Sequence, residues 1–318
     1  MSEGKPPTTL IEAIRYFSDE EVAHNYVVAL RWADGVECPK CGSKEVSYIS
    51  TRKRWKCKDK ECINAKKQFS VKTGTIFEDS PLSFSKWLPA IWMIANNKNG
   101  KSSYELARDL GVTQKTAWFM LHRIRVAMTT GSFEKLSNEV EADETFVGGA
   151  AKNMHKDVRE KKIKGRGASG KTVVMGMLER KGDVKAKVIP DTTKGTLQGE
   201  VRANVEKGAK LFTDAFPAYE GLDEDYLHQM IDHAIAYVNG AVYTNGIENF
   251  WTLLKRSLKG TYVSVDPEHL TRYVDEQAFR FNGRKGKDLD RFVKALSGAE
   301  GRQLTYKALI GEGGKRGG

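Results

Sequence analysis

Three acidic residues in the second half of the chain are candidates for metal chemistry. They are Asp143 in VEADETFVGG, Asp214 in KLFTDAFPAY and Glu248 in TNGIENFWTLLKR. Each aspartate lies at the end of a short apolar run that predicts a strand, and Glu248 lies near the start of a predicted amphipathic helix. Three carboxylates can hold two magnesium or manganese ions, and two-metal sites cleave and join phosphodiesters. The pattern predicts an enzyme that acts on a nucleic-acid backbone.

The third metal ligand has two candidates in the same helix. Glu248 offers a negative charge and two oxygens to a hard cation, whereas Asn245, three residues earlier, offers one neutral oxygen. Lys255 follows Glu248 by two turns, so both project from nearly one face, and its ammonium can hold a phosphate near the metals. Arg256 is a second candidate for DNA contact there. We therefore expect Glu248 to be the magnesium ligand and Asn245 to cap the helix.

All four cysteines lie close together, as Cys38-Pro-Lys-Cys41 and, after fifteen residues, Cys57-Lys-Asp-Lys-Glu-Cys62. Two short pairs, the first followed by glycine, are typical of a zinc ribbon, although the second pair has a wider gap than the usual two residues. Two disulfides, which a reducing cytosol disfavours, or four unrelated thiols are the alternatives. Four thiolates leave no open coordination position, so the predicted zinc is structural.

The elements that precede the acids predict DNA binding. A short helix, a turn containing Gly111 and a second helix capped by Thr113 are the pattern of a helix-turn-helix. In that motif the first residues of the second helix face the major groove, which makes Gln114 and Lys115 candidates for DNA contact. A plain pair of packed helices is the alternative.

Basic residues mark both the ribbon and the whole chain. Arg52, Lys53 and Arg54 precede a tryptophan in a predicted ribbon strand, and basic residues interleaved with aromatic ones favour nucleic-acid contact. A solvated charged edge is the alternative. The chain has 52 Lys and Arg against 41 Asp and Glu, a net charge of +11 and a pI near 9.3, which favours a polyanionic partner.

The length and composition suit a globular protein of two or three domains, with 318 residues of which 40% are hydrophobic. No apolar stretch reaches the roughly 18 residues that span a bilayer, and the segment MSEGKPPTTL lacks the apolar core of a signal peptide. We therefore expect a cytoplasmic protein with no membrane partner.

The expected fold class is multidomain, with an α/β domain after the helix-turn-helix. Strands from Val140, Lys171 and Val184, a helix from Thr193 and a strand from Leu211 give the order of an RNase H-like domain with a mixed sheet flanked by helices. A basic loop, 152–170, lies between the first two strands. The expected domains are an N-terminal helical segment (1–36), a zinc ribbon (37–75), a helix-turn-helix region (80–130), a catalytic domain (135–297) and a C-terminal tail (298–318).

Several ordered motifs together resemble one family. CPKC with a second cysteine pair, the helix-turn-helix, DETFVGG, TDAFPAYEGL and TNGIENFWTLLKRSLKGTY resemble the zinc-ribbon group of DDE transposases of bacterial insertion sequences, over about residues 20–285. The resemblance implies that Asp143, Asp214 and Glu248 are the metal-binding triad, that Lys255 contacts DNA, and that the four cysteines bind zinc. Seventy residues lie between the two aspartates and thirty-three between Asp214 and Glu248, which is similar to the family's short second interval.

The resemblance leaves two positions open. Some relatives use asparagine as the third ligand, and Asn245 lies close to that place. Some carry histidine where this chain has Tyr243.

The function implied is a transposase that cleaves element ends and joins the 3′-hydroxyl to target DNA. Its partners would be double-stranded DNA and further copies of the chain, as a homodimer or higher oligomer on DNA in the nucleoid. Two other functions remain alternatives: a domesticated DNA-binding regulator that no longer cuts, and a metal-dependent nuclease without strand transfer. The sequence does not separate these three.

Overall fold

The computed structural model describes residues 5–63, 67–129, 134–148, 170–231 and 244–311. The chain forms two compact units, the first made of Met1–Thr129 and Lys285–Gly318 and the second of Thr130–Arg284. Within the described residues, no helix is long and apolar enough to cross a membrane. The elements of the first unit are α1 (Leu10–Phe17), α2 (Glu20–Arg31), β1 (Val46–Ile49), β2 (Arg54–Cys57), β3 (Gln68–Phe69), α3 (Phe84–Asn96), α4 (Ser103–Leu110), α5 (Gln114–Met128), α9 (Asp288–Ser297) and α10 (Tyr306–Leu309).

The N-terminal segment forms two helices where the sequence suggested one. Asp19 interrupts it, because its side chain accepts hydrogen bonds from the backbone N–H groups of Glu21 and Val22 and so starts α2 anew. α1 packs on α3, whose broad apolar stripe is buried as expected, including Trp87 and Trp92.

The ribbon is a three-stranded antiparallel sheet in the order β1-β2-β3. Its hairpin turn differs from the prediction, which placed Arg52 in the second strand. Ser50–Arg52 form a 3₁₀ turn, and Lys53 is left-handed with φ 48°. The second strand therefore begins at Arg54.

The predicted pair of helices is present as α4 and α5. Ser102 caps α4 in a capping box with Glu105, Gly111 ends it with φ 60°, and Thr113 accepts from the backbone N–H of Thr116 to start α5. Glycine suits the turn because a side chain is strained in that left-handed conformation.

The last part of the chain belongs to the first unit, which corrects the expected boundary at residue 297. The helix α9 packs against α3 and α5, and the ring of Phe292 lies 5.2 Å from that of Trp92. Residues 298–311, expected as a tail, include α10, and Arg123 donates to the carbonyl of Leu304. Local periodicity could not have assigned α9, because its partners lie far away in sequence.

The second unit is built on a five-stranded mixed sheet. Its strands run in the order β6-β5-β4-β7-β8. β4 pairs antiparallel with β5 and parallel with β7, while β5–β6 is antiparallel and β7–β8 parallel. Its elements are β4 (Glu139–Val147), β5 (Thr172–Glu179), β6 (Val184–Ile189), α6 (Lys194–Asn204), β7 (Lys210–Asp214), β8 (Leu227–Ile231), α7 (Asn245–Arg256) and α8 (Leu270–Asn282).

Helices cover both faces of this sheet. On one face, Val140 and Ala142 of β4 join a cluster with Leu197 and Val201 of α6. On the other face, Val174 of β5 joins a cluster with α7 and α8. Because side chains alternate along a strand, Glu141 and Asp143 point to the face covered by α7.

The helix α7 continues into a π-helical segment, Ser257–Tyr262. Tyr262 donates to the carboxylate of Glu276 in α8. Glu276 is fully buried, and its carboxylate also accepts a hydrogen bond from Arg280. These contacts fasten the end of α7 to α8.

Candidate metal centres

The four cysteines converge on one point of the ribbon. Their sulfur atoms all lie within 4.8 Å of one another, with Cys38 and Cys62 3.8 Å apart and Cys41 and Cys57 3.7 Å apart. Zinc–sulfur bonds of about 2.3 Å in a tetrahedron separate the sulfurs by about 3.8 Å. All four are free thiols, so the arrangement fits one structural zinc and not two disulfides.

Two loops of the ribbon present these thiols. After the first pair, the backbone N–H of Gly42 donates to the carbonyl of Cys38, and the N–H of Cys38 donates to the carbonyl of Ser43. On the second loop, the N–H of Cys57 donates to the carbonyl of Lys67. These backbone hydrogen bonds shape the two loops that bring the thiols together.

In the second unit, the two aspartates occupy matching positions on neighbouring strands. The parallel pairing of β4 with β7 runs through Glu139 with Lys210, and ends at Glu141 with Phe212. Asp143 and Asp214 each lie two residues beyond that last pair, on the face that α7 covers. The two carboxylates therefore lie at the same level of adjacent parallel strands, in the middle of β4 and at the end of β7.

The charges of the acids act on one another. Burial raises the pKa of Asp143 to about 6, and the negative charges of Asp214 and Glu248 add to that rise, while the indole N–H of Trp251 opposes it. A divalent cation would relieve this repulsion, and carboxylate oxygens are the ligands that magnesium prefers.

The acids are more widely spaced than the thiols. Within the described part of the chain, the oxygens of Asp143, Asp214 and Glu248 do not all lie within 4.8 Å of one another.

Glu248 is exposed on the first turn of α7 and accepts a hydrogen bond from Thr244 Oγ1 at 3.3 Å. Thr244, and not Asn245, occupies the cap position, so the expected capping role of Asn245 is wrong. A side chain of β4 accepts a hydrogen bond from the first turn of α7 instead. The backbone N–H of Ile247 donates to Glu141 Oε2 at 2.9 Å.

Asp143 is tied to the same helix. Trp251 Nε1 donates to Asp143 Oδ2 at 2.8 Å, and the indole is 4% exposed. Trp251 follows Glu248 by three residues and therefore lies on a neighbouring part of the same helix face.

A fourth carboxylate lies beside the aspartates but on the opposite face of the sheet. Glu144 accepts from the hydroxyl of the buried Tyr219 at 2.7 Å. Burial raises the pKa of Glu144 to about 7; the Tyr219 hydroxyl opposes the shift, and the charges of Asp214 and Asp143 add to it.

The two candidate DNA-contact residues at the start of α5 both contact other side chains of the first unit. Gln114 donates its amide to Ser103 Oγ at 2.9 Å, and the ammonium of Lys115 lies 4.7 Å from the centroid of the Tyr306 ring. Both contacts are made within the unit, so DNA would have to share or replace them.

The other basic candidates are exposed, as Lys115 is. They are Arg52, Lys53 and Arg54 in the ribbon and Lys255 and Arg256 at the end of α7. The basic loop and Tyr243 lie outside the described residues, apart from Gly170 at the loop's end.

Sequence reasoning missed Glu141 and Trp251. Glu141 lies two residues before Asp143, and this strand spacing places both on one face. Trp251 lies three residues after Glu248, within reach on the helix. The spacing is visible in the sequence, but the sequence does not indicate that Glu141 contacts α7 or that Trp251 contacts β4.

Comparison with known proteins finds a matching family model for each of the two regions. The model of the ISXO2-like transposase domain matches residues 135–282, and that of the transposase zinc-ribbon domain matches residues 18–64. The chain is 30% identical over 277 residues to an uncharacterized protein in transposable element ISH50 of Halobacterium salinarum, covering 82% of this chain and 90% of that protein. It is also 32% identical over 110 residues to an uncharacterized transposase-like protein of Haemophilus influenzae, covering 34% of this chain and 89% of that protein. With the thiol cluster and the paired aspartates each inside the matching domain, the chain belongs to the zinc-ribbon group of DDE transposases of insertion sequences.

Proposed function

We propose that the protein cleaves the ends of an insertion sequence and joins the freed 3′-hydroxyl to target DNA. One observation carries the proposal: Asp143 and Asp214 lie at matching positions on adjacent parallel strands, on the face covered by the helix that bears Glu248. Asp214 ends β7, and open α/β sheets present side chains to a ligand at the carboxyl ends of their strands. The arrangement supports Asp143, Asp214 and Glu248 as the magnesium ligands.

The proposed reaction is a pair of in-line displacements at phosphorus. Water first attacks the phosphodiester at the element end, and the 3′-oxygen of the element leaves and takes up a proton. The resulting 3′-hydroxyl then attacks a phosphodiester of the target, and the target's own 3′-oxygen leaves. Magnesium, or manganese in its place, when bound supplies activation of the attacking oxygen and stabilisation of the leaving oxygen. The exposed Lys255 and Arg256 hold DNA phosphates, and no side chain acts as the nucleophile.

The fold proposed for the second unit is RNase H-like. Three antiparallel strands in succession, with two further strands added parallel to the first, support this assignment. In that fold the acids of the first and fourth strands lie side by side.

DNA recognition is proposed for the first unit. The capped helices α4 and α5, joined through Gly111, support a helix-turn-helix in which Gln114 and Lys115 approach the major groove. The exposed Arg52, Lys53 and Arg54 of the ribbon would neutralise phosphates. We further propose that the protein acts in the cytoplasm, on the nucleoid, as a homodimer or higher oligomer on two element ends.

The test uses the full-length protein, labelled DNA ends taken from the repeats that flank the gene, and a target plasmid. Cleavage followed by joining, dependent on magnesium and absent in Asp143→Asn, is expected. Cleavage without joining would indicate a nuclease, and binding without cleavage a regulator. Sedimentation of the protein–DNA complex measures the number of copies.

A further inference from the structure

We infer that Trp251 and Glu141 form a latch between β4 and α7 that positions Asp143 and Glu248 for metal binding. The inference rests on the proposed function and goes beyond the carboxylate triad. Neither side chain is accessible to substrate, because both are almost fully buried. They are positioning residues that act through the carboxylates.

The first half of the latch holds the carboxylate of Asp143. Trp251 Nε1 reaches across from α7 to Asp143 Oδ2 at 2.8 Å. A hydrogen bond from a rigid, buried indole to one oxygen limits rotation of the carboxylate group. Partners that orient metal ligands in this way determine metal affinity.

The absence of a side chain at Gly176 makes room for the indole of Trp251. Gly176 is paired with Asp143 across β4 and β5. A Cβ atom at Gly176 would lie 2.6 Å from Trp251 Cη2 and 2.9 Å from Ile247 Cδ1, closer than van der Waals contact allows. The indole therefore lies directly against the backbone of β5, beside the aspartate that it holds.

The second half of the latch holds the start of α7. Glu141 Oε2 accepts from the backbone N–H of Ile247, and its other oxygen accepts from Arg180 Nε at 3.0 Å. The guanidinium of Arg180 stacks on Phe212 of β7, 3.8 Å from the ring centroid. A buried carboxylate at a helix start satisfies an unpaired N–H group and interacts favourably with the helix dipole.

In both halves of the latch, the spacing of the contacts follows the structural repeat of the strand and of the helix. Glu141 and Asp143 are two residues apart on one face of a strand, while Ile247 and Trp251 are four residues apart on one face of a helix. Glu248 lies between these two helix contacts. The latch thus fixes one triad member directly and another through the helix that carries it.

The decisive variant is Trp251→Phe, which removes the N–H donor but keeps an aromatic ring against Gly176. We expect magnesium affinity, measured by titration calorimetry on the zinc-loaded full-length protein, to fall about ten- to a hundredfold. Cleavage should need correspondingly more magnesium, with DNA affinity unchanged. Unaltered magnesium affinity and unaltered magnesium dependence of cleavage would overturn the inference.

Trp87→Phe is the matched control. Its indole is equally buried and donates to Ser80 Oγ at 3.1 Å, but in the other unit. Its magnesium affinity should equal that of the native protein. If both variants weaken magnesium binding alike, the effect is a general loss of stability and the latch is wrong.

A second measurement covers failure of Trp251→Phe to fold. The chain has six tryptophans, so an ¹⁵N-indole spectrum of the native protein is simple enough to follow. One indole signal should shift in Asp143→Asn, and the same signal should shift when magnesium is added. No responsive signal in Asp143→Asn would overturn the latch, whereas a response there without magnesium binding or cleavage would reject the proposed function and keep the contact.

Discussion

The thiol cluster and the group formed by Asp143, Asp214 and Glu248, here called the carboxylate centre, differ in how far apart in sequence their ligands lie. The thiols come from residues 38–62 and two loops of one small sheet, and they lie within 4.8 Å of one another. The carboxylates come from two strands and a helix between Asp143 and Glu248, and they are more widely spaced. A closed structural site can be specified by local spacing, whereas the carboxylate centre depends on two strands and a helix that are distant in sequence.

The largest expected effect concerns the thiol cluster. Cys57→Ser replaces a fully buried thiol with a weak zinc ligand, so the ribbon should lose its zinc. Structural zinc binding contributes about 10–16 kcal/mol in small zinc domains, so the ribbon should unfold with it. Metal analysis should give one zinc per native chain and near none for the variant. A variant with full zinc content and an unchanged ribbon would contradict the closed-site interpretation.

The carboxylate centre should respond in activity and not in folding. Asp143→Asn keeps the Trp251 contact geometry but removes the charge that a cation needs. We expect magnesium-dependent cleavage to fall by about a thousandfold, because metal stabilisation of the reacting oxygens contributes several kcal/mol. Zinc content and DNA affinity serve as controls and should not change. Asp214→Asn should behave alike, and near-native cleavage by either variant would remove that residue from the centre.

The third ligand offers a sharper test within one helix. Glu248→Gln should reduce cleavage by about a hundredfold, since a neutral amide binds magnesium poorly. Asn245→Ala should reduce the cleavage rate by less than about tenfold. Thr244 occupies the cap position, and Glu141 accepts the backbone N–H of Ile247 in the first turn. Rates at saturating DNA over a magnesium series measure both. The reverse ranking would make Asn245 the ligand.

The pH dependence of stability should also separate the two centres. Burial raises the pKa of Glu144 from 4.5 to about 7, so the folded protein binds this proton more tightly than the unfolded chain does. Its carboxylate therefore destabilises the fold above pH 7, and this effect disappears as pH falls towards 4.5. Without magnesium, the second unit should melt higher at pH 5.5 than at pH 8, by about 2–4 °C for each kcal/mol. Glu144→Gln should reduce this difference, and an identical pH dependence in the variant would exclude Glu144 as its source.

The smallest expected effect is in the first unit. Lys115→Ala should lower the slope of log affinity for DNA against log salt by about one, the effect of one phosphate contact. Lys207→Ala is the control, because Lys207 is an exposed lysine of the second unit paired with Asp225. A filter-binding series in salt measures both variants. Equal slopes for Lys115→Ala and native protein would show that Tyr306 keeps this ammonium away from DNA.

Local signals in the sequence predicted much of this molecule. Thr113 as a helix cap, the ribbon cysteines and the strand positions of Asp143 and Asp214 follow from spacing and residue type. The cap of α7 was wrong because a carboxylate from a strand replaced the expected asparagine.

What remained hidden depends on contacts between distant segments. The indole of Trp251 meets Asp143 only because Gly176, on a third element, leaves room for it. The assignment of α9 depends on Phe292 meeting Trp92. Such pairs arise from packing, which residue periodicity does not encode.

The placement of α9 has a consequence for how the protein is made. The chain leaves the first unit at Thr129 and returns at Lys285, after the second unit is complete. Domains fold as they leave the ribosome, in order along the chain. α3 and α5 therefore lack their partner helix α9 while the second unit is being synthesised. The proposed DNA-binding unit is then finished last, so a chain interrupted during translation cannot present it complete.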